Sequence, residues 1–456
     1  MPADLLHLIK ILGGDQISWL IPLLEEVFTV IKAWWWVPLP FIFWPVLVAM
    51  WLWWRQGLWD EKQKHIVAEI KPPEEHLKPI RAMETVMTGL WQIYSPPNWF
   101  ERWWKGEFQL KFSFEIVSID GVPRFYVRFA EKYLPILETH VYGQYPGAEI
   151  AVVDDYVKKV PQDIPNKEWY MWGTDYRLTK GGLANRRVEE EAIPIRTYTD
   201  FETEHETEEE QKIDPLAGLL QGMTQLKEGE ALWVQIVACP TLGNPSDGER
   251  PWQKNGEKLR DRLAKREVSP KRKPLLNEIA DLLFWGKPPA AKVEEKEVFP
   301  REMRLTPGER DTVEAIEKKI SKQGFETTVR YIYLARKDAF NGSNIRIPMS
   351  YFTNFCNTDL NSIVPWGETI TKIKQNWYDW FWFVKRRLYL KKRRLFRLYA
   401  MRLSPKFPLA GGTFILNTEE IASLYHFPSR RVAPASTLMR VGSRKAEAPP
   451  NLPTGE

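Results

Sequence analysis

An uncharged, tryptophan-rich run constrains this chain more than any other feature of its sequence. The run extends from Ala33 to Trp54 (AWWWVPLPFIFWPVLVAMWLWW) and is bounded by Lys32 and Arg55. A helix of about 20 apolar residues spans a bilayer core of about 30 Å, and indole rings favour both membrane–water interfaces. We therefore predict one transmembrane helix over residues 33–54, anchored by its tryptophans Trp34, Trp35, Trp36, Trp44, Trp51, Trp53 and Trp54.

Three prolines, Pro38, Pro40 and Pro45, oppose this interpretation, because proline removes a backbone donor and kinks helices. The alternatives are a buried core helix and a hairpin that lies in the membrane interface. Residues 1–32 are expected to form an amphipathic segment at the membrane surface. Slightly more lysine and arginine residues follow the run than precede it, which favours a cytoplasmic location for the part of the chain after the run. We therefore expect a single-pass protein of the cytoplasmic membrane with a cytoplasmic body.

The composition of the 456-residue chain fits a globular body of about two or three domains. A net charge of +5 is mild, so it argues against a nucleic-acid coat protein but permits a local basic patch. Two cysteines, Cys239 and Cys356, cannot build a disulfide framework, and the histidines are scattered without metal-ligand spacing. We predict no metal site and no cofactor.

We predict an α+β fold after the membrane segment. A connector at 55–80 leads into a first unit at 81–160. Within it, Phe108 to Ile119 and Arg124 to Phe129 alternate as strands, and Asp120-Gly121 between them is a hairpin turn signal. The order helix, strand, strand, helix, strand predicts a ferredoxin-like unit with a mixed or antiparallel sheet.

Residues 161–430 are predicted to form a second α+β unit of the same kind. Asp214 precedes a proline and is expected to cap a helix, and Thr306 opens another helix in the same way. Asn417 follows a short strand and opens a final helix. These start signals alternate with strand patterns, which is typical of repeated helix–strand units.

Three segments differ in composition from these units. Residues 244–301 are charged and are predicted to be an insertion in the second unit, and residues 431–456 are predicted to be a flexible tail. The acidic run at 189–214 is interpreted as a solvated loop or helix edge, with a contact for a basic partner as the alternative.

Catalytic motifs are absent from the sequence. No glycine-rich phosphate-binding loop occurs, since Gly286-Lys287 lacks the upstream glycine and is followed by Pro288. The serine-hydrolase elbow and the helical zinc-protease motif are absent as well. We predict that this chain is not an enzyme.

One dense constellation is the basic–aromatic segment 376–403 (NWYDWFWFVKRRLYLKKRRLFRLYAMRL). Such bases can neutralise nucleic-acid phosphates while aromatic rings stack on bases. The same composition suits a helix on anionic lipid, with Trp380, Phe381 and Trp382 in the headgroups, or a helix that docks on a protein partner. The candidate contacts to an anionic partner are Lys385, Arg386, Arg387, Lys391, Lys392, Arg393, Arg394 and Arg397.

Several phrases, in their order along the chain, resemble one known family. They are KFSFEIVSIDGVPRFYVR (111–128), QYPGAEIAVVDDY (144–156), DPLAGLLQGMTQLKEGEALWVQIVACP (214–240), LTPGERDTVEAIEKKISKQGFETTVRYIYLA (305–335) and FILNTEEIASLYHFP (414–428). Over residues 80–453 the chain resembles the N-terminal, non-motor region of membrane-anchored type IV secretion and conjugation ATPases of the HerA/FtsK type.

The resemblance implies a membrane-anchored structural and interaction component of a type IV secretion or conjugative DNA-translocation apparatus. No position here matches the P-loop of that family. The resemblance therefore implies either a separate P-loop ATPase as a partner or a chain that is the front half of a split or truncated ATPase. It further implies contact with a lipid bilayer, with DNA and with other copies of the chain in a homo-oligomer. The alternative is a membrane-associated nucleic-acid-binding protein that works without a motor.

Overall fold

The fold is taken from a computed structural model of the chain, which divides into two compact units. Unit 1 comprises Met1–Gln63 and Pro97–Phe108, and unit 2 comprises Lys64–Pro96 and Gln109–Glu456. The structure describes residues 26–29, 32–33, 38–73, 78–180, 183–184, 188–201, 214–247, 249–264, 305–373, 384–405, 412–428 and 438–440.

Unit 1 is built around the helix α1 (Pro38–Lys62), which begins with prolines in its first turn and contains Pro45. A short π-helical segment, Glu101–Lys105, accompanies it. The Trp51 indole donates a hydrogen bond to the Trp103 carbonyl at 2.9 Å, and the ring centroids of Trp51 and Trp104 are 6.0 Å apart. Aromatic contacts therefore join α1 and the π-helical segment.

The predicted transmembrane helix over residues 33–54 is wrong. In the described part of the chain, no helix combines the length and the apolar character that a bilayer crossing requires. The uncharged part of α1 runs only from Pro38 to Trp54, about 26 Å at about 1.5 Å per residue, against a core of about 30 Å. Tryptophan also contributes less apolar character than an aliphatic residue, because its ring carries a polar N–H. The predicted single-pass localisation in the cytoplasmic membrane is overturned by the same finding.

The tryptophans assigned to that anchor divide into two groups. Residues 34–36 lie outside the described residues. The other four are exposed, at 65% for Trp44, 39% for Trp51, 71% for Trp53 and 50% for Trp54. The Arg55 guanidinium lies over the rings of Trp51 and Trp54, at 5.9 and 5.7 Å from their centroids.

Unit 2 contains one ten-stranded sheet in which all strand pairs are antiparallel. The strand order is β4-β1-β3-β2-β7-β8-β5-β6, with β9 paired to β5 and β10 paired to β8. The strands are β1 (His65–Lys71), β2 (Phe112–Ile119), β3 (Val122–Ala130), β4 (Glu149–Val153), β5 (Trp169–Lys180), β6 (Leu183–Ala184), β7 (Glu230–Thr241), β8 (Gly324–Arg336), β9 (Asn361–Pro365) and β10 (Phe414–Asn417).

The predicted hairpin at Asp120-Gly121 is confirmed as the turn between β2 and β3. Both turn residues have positive φ, 53° for Asp120 and 77° for Gly121. A two-residue hairpin turn requires such values, and aspartate and glycine tolerate them best. The turn pairs Ile119 with Val122 and fixes the register of the two strands.

The helices of unit 2 lie on both faces of the sheet. They are α2 (Arg81–Leu90), α3 (Leu134–Gln144), α4 (Pro215–Thr224), α5 (Trp252–Leu263), α6 (Pro307–Ile320), α7 (Arg346–Thr353), α8 (Val384–Ala400) and α9 (Thr418–Leu424). Helices α2, α3, α4, α7 and α9 contribute to the main core on one face. Helix α8 contributes to a second core on the opposite face, around Val117, Trp233 and Ile332.

Strands from both predicted α+β units lie in this one sheet, because β2 of the first unit pairs with β7 of the second along eight residue pairs. Strands β7 and β8 are long, and each contributes alternate residues to both cores. The fold is therefore α+β with one large antiparallel sheet, not a transmembrane helix followed by separate ferredoxin-like units.

Candidate anionic-partner interface

Helix α8 carries the basic part of segment 376–403. Its residues are good helix formers and include neither glycine nor proline. Leu395, Phe396 and Tyr399 are buried on the second face of the sheet, and the ring centroids of Tyr399 and Trp233 are 5.4 Å apart. This apolar contact fixes which side of the helix faces solvent.

The basic side chains of α8 differ in exposure. Among the eight candidate contacts, three are not fully exposed: Lys391 and Arg393 are half-buried, and Lys392 is buried. The exposed ones are Lys385, Arg386, Arg387, Arg394 and Arg397.

Three arginines, Arg386, Arg393 and Arg397, form a row on the side of α8 opposite the buried residues. Their spacings of seven and four residues place them on one stripe of a helix, with the exposed Leu390 between the first two. The Arg393 guanidinium also donates a hydrogen bond to the Gln162 carbonyl at 2.9 Å. We call these three residues the arginine row.

Lys392 departs from the predicted role. It is 3% exposed, and its Nζ lies 3.6 Å from the centroid of the Tyr170 ring. Burial lowers the pKa of Lys392 to about 8. This lysine therefore faces the protein and not an external anion.

A buried polar network lies at the C-terminal end of α8 and centres on Arg402. Its guanidinium Nε lies 3.0 Å from Glu115 Oε1, and its NH1 group donates to Asp155 Oδ2 at 2.5 Å. The Tyr156 hydroxyl donates to Glu115 Oε2 at 2.7 Å and lies 2.7 Å from the Tyr399 hydroxyl. The network ties the end of α8 to the middle of the sheet.

The charges in this network stabilise each other. Burial alone raises the pKa of Asp155, but the hydrogen bond and the charge of Arg402 bring it below its ordinary value. Burial and the neighbouring Glu115 raise the pKa of the Tyr156 hydroxyl. Both tyrosines therefore remain neutral, and Arg402 meets its two carboxylate partners directly, in a site where an unpaired charge would be costly.

Sequence patterns missed this network entirely. Glu115 and Arg402 lie 287 residues apart, and Glu115 reads as an ordinary polar position in an alternating strand. If the sheet order were known, Glu115 would be recognised as a charged residue in a central, buried strand, and such a residue needs a buried partner. The aromatic residues Trp380, Phe381 and Trp382 of segment 376–403 lie outside the described residues.

Residues 56–437 match the family described as Domain of unknown function (DUF8128), which is most of the chain, so the chain belongs to this family. A search of curated proteins finds no match.

Proposed function

We propose that this DUF8128 protein is a non-catalytic interaction subunit of a DNA-translocation apparatus, and that α8 binds the phosphate backbone of DNA. The observation that carries the proposal is the arginine row. It projects from a helix whose opposite side is anchored in the core, so the backbone positions of its three arginines are held at fixed spacings. A backbone that is already ordered loses less entropy on binding.

The spacing of the row suits a polyanion. Arg386 and Arg397 are separated by eleven residues, about 16 Å along a helix axis. A DNA duplex carries one phosphate charge about every 1.7 Å of its axis, so several phosphates lie within that span. Guanidinium groups bind phosphate oxygens through paired hydrogen bonds and stay charged at any physiological pH.

The choice of a translocation apparatus rests on the resemblance to the pre-motor region of HerA/FtsK-type ATPases. Two of the phrases that carry it, 214–240 and 305–335, include all but the last residue of the adjacent strands β7 and β8 at the centre of the sheet. In this proposal, ATP hydrolysis is carried out by a P-loop ATPase of the HerA/FtsK type with which the chain works.

The test is DNA binding by the double variant Arg386→Glu/Arg397→Glu, measured by fluorescence anisotropy with a labelled duplex. The matched control is Lys254→Glu/Lys258→Glu, which makes the same charge change at two exposed lysines of α5. We expect the α8 variant to bind at least about tenfold more weakly, and the control to bind within about twofold of wild type. Between about 50 and 200 mM salt, log affinity decreases linearly with log salt concentration. The magnitude of this slope should be smaller by about two in the α8 variant and unchanged in the control.

Two outcomes would overturn the proposal in separable ways. If both variants lose the same amount of DNA affinity, or if the wild-type protein does not bind DNA, α8 is not the DNA-binding site. If DNA binds but affinity purification from the native host recovers no P-loop ATPase, the translocation role is dropped, and DNA binding without a motor remains.

A further inference from the structure

A polar cleft in unit 2 lies away from α8 and is formed by the start of α2, the C-terminal end of α6 and the start of α9. Its volume is about 720 Å³, within the range of small-molecule sites. The segment Tyr198–Asp200 closes one side of it.

Two carboxylates in the cleft are satisfied by neighbouring donors. The Lys322 ammonium donates to Glu84 Oε1 at 2.5 Å and to Glu419 Oε2 at 2.6 Å. Glu84 also accepts from the Tyr198 hydroxyl at 2.5 Å, and Glu419 accepts from the Thr197 hydroxyl at 2.5 Å. Both acids therefore have hydrogen-bond donors within the protein and do not call for an external cation.

Two further cations line the same cleft. Arg81, the first residue of α2, is exposed and forms no ion pair with any described residue. The Lys318 ammonium lies 3.5 Å from Glu419, and its side chain is 50% exposed. With Lys322 the cleft has three cations against two carboxylates, so its net charge is one positive, and the two cations with exposed side chains are Arg81 and Lys318.

Hydroxyl groups follow Arg81 along the same face of α2. Thr85 donates its hydroxyl hydrogen to the Arg81 carbonyl at 3.3 Å, and Thr88 donates to the Glu84 carbonyl at 2.9 Å. Since each hydrogen is already used, the oxygen lone pairs that face the cleft can only accept. A molecule that offers both an anionic group and hydroxyl donors would complement this cleft.

We propose that this cleft binds a small phosphorylated polyol, with its phosphoryl group between Arg81 and Lys318 and its hydroxyls donating to Thr85 and Thr88. The site is independent of DNA binding at α8. A guanidinium and an ammonium together suit a phosphoryl dianion better than a neutral sugar, because charge-assisted hydrogen bonds are the stronger ones.

The test is isothermal titration calorimetry of the full-length protein with glycerol 3-phosphate, inorganic phosphate, succinate and glycerol. We expect glycerol 3-phosphate to bind most tightly, inorganic phosphate more weakly, and glycerol not measurably. The variant Arg81→Ala/Lys318→Ala should weaken glycerol 3-phosphate binding at least about tenfold. The control Lys254→Ala/Lys258→Ala, which removes two exposed lysines outside the cleft, should leave it unchanged.

Thr85→Val is a second variant that keeps both cations. It should lower the affinity for glycerol 3-phosphate while leaving that for inorganic phosphate unchanged, because only the polyol reaches the hydroxyl. No heat with glycerol 3-phosphate, equal binding by the cleft and control variants, or succinate binding as tightly as glycerol 3-phosphate would each overturn the proposal. Urea unfolding midpoints equal to wild type show that the variants fold.

Discussion

The guanidinium of Arg402 and the carboxylate of Glu115 form a buried ion pair, with Nε 3.0 Å from Oε1 and both side chains almost fully buried. Arg402 reaches this position from a backbone with a φ of 52°, directly after α8 ends. The pair therefore joins the basic helix to β2 in the middle of the sheet.

Arg402→Met is expected to lower the free energy of unfolding by about 3–5 kcal/mol, because it leaves the charge of Glu115 buried without its partner. Urea unfolding followed by circular dichroism measures this. Arg397→Met, an exposed arginine five residues earlier, is the control and should change stability by less than about 0.5 kcal/mol. Equal unfolding midpoints for the two variants would contradict the structural role of the pair.

The pairing of Asp155 with Arg402 predicts a loss of stability in acid. The pKa of Asp155 is lowered from its ordinary value of 3.8 in the folded protein. The unfolded chain therefore takes up a proton first as the pH falls, so the stabilisation is complete above about pH 4 and is lost below it. In Asp155→Asn, the unfolding free energy should depend less steeply on pH below about 4 than in wild type. Parallel pH profiles for the two proteins would argue against this pair.

Lys392 predicts the opposite behaviour in base. Its pKa falls from 10.5 to about 8 on burial, so the folded state is penalised wherever both states are protonated, below about pH 8. The penalty disappears as the pH rises toward 10.5. Lys392→Met removes this penalty but also removes the contact with the Tyr170 ring. The net effect should be an increase of about 1 kcal/mol in the free energy of unfolding at pH 7.

The stability gained by Lys392→Met should be smaller when urea unfolding is repeated near pH 9.5, which lies between the pKa of Lys392 in the folded protein and its ordinary pKa. A variant that is less stable than wild type at both pH values would mean that the cation–π contact outweighs the cost of burial. Lys385→Met, at an exposed position of the same helix, controls for the loss of one positive charge.

Gly121→Ala is expected to destabilise the protein by at least about 1 kcal/mol. Gly121 has a φ of 77°, and an added Cβ would lie 2.7 Å from the Leu226 carbonyl oxygen. Gly143→Ala in α3 is the matched control, since nothing lies within 4 Å of its added Cβ. It should be neutral or stabilising by up to about 1 kcal/mol, because alanine favours helix. Thermal unfolding of both variants decides between these effects, and similar melting temperatures would refute the strain.

Local signals in the sequence predicted several elements correctly. Asp214 and Thr306 cap α4 and α6 as expected, with Asp214 accepting from the Leu216 N–H and Thr306 from the Glu309 N–H. The Asp120-Gly121 turn is also where it was predicted. These features depend on residues within three positions of each other, so the pattern contains all the information that they need.

The membrane prediction failed because an uncharged run is not the same as an apolar helix. The uncharged run extends from 33 to 54, whereas α1 extends from Pro38 past Arg55 to Lys62. Where a helix starts depends on the backbone restrictions of proline, and whether its aromatic residues contact protein depends on tertiary neighbours such as Trp103, which accepts a hydrogen bond from Trp51. Hydropathy alone does not include either.

The sequence by itself determined that α8 would be basic, that the hairpin and the helix caps would form, and that strands would alternate with helices. Only the tertiary structure decided that Lys392 faces Tyr170 while Arg386 faces solvent, and that Arg402 meets a carboxylate 287 residues away. The physical reason is range. Caps and turns are stabilised by neighbours in the chain, whereas the orientation of α8 follows from burying Leu395, Phe396 and Tyr399 against strands whose order no local pattern encodes.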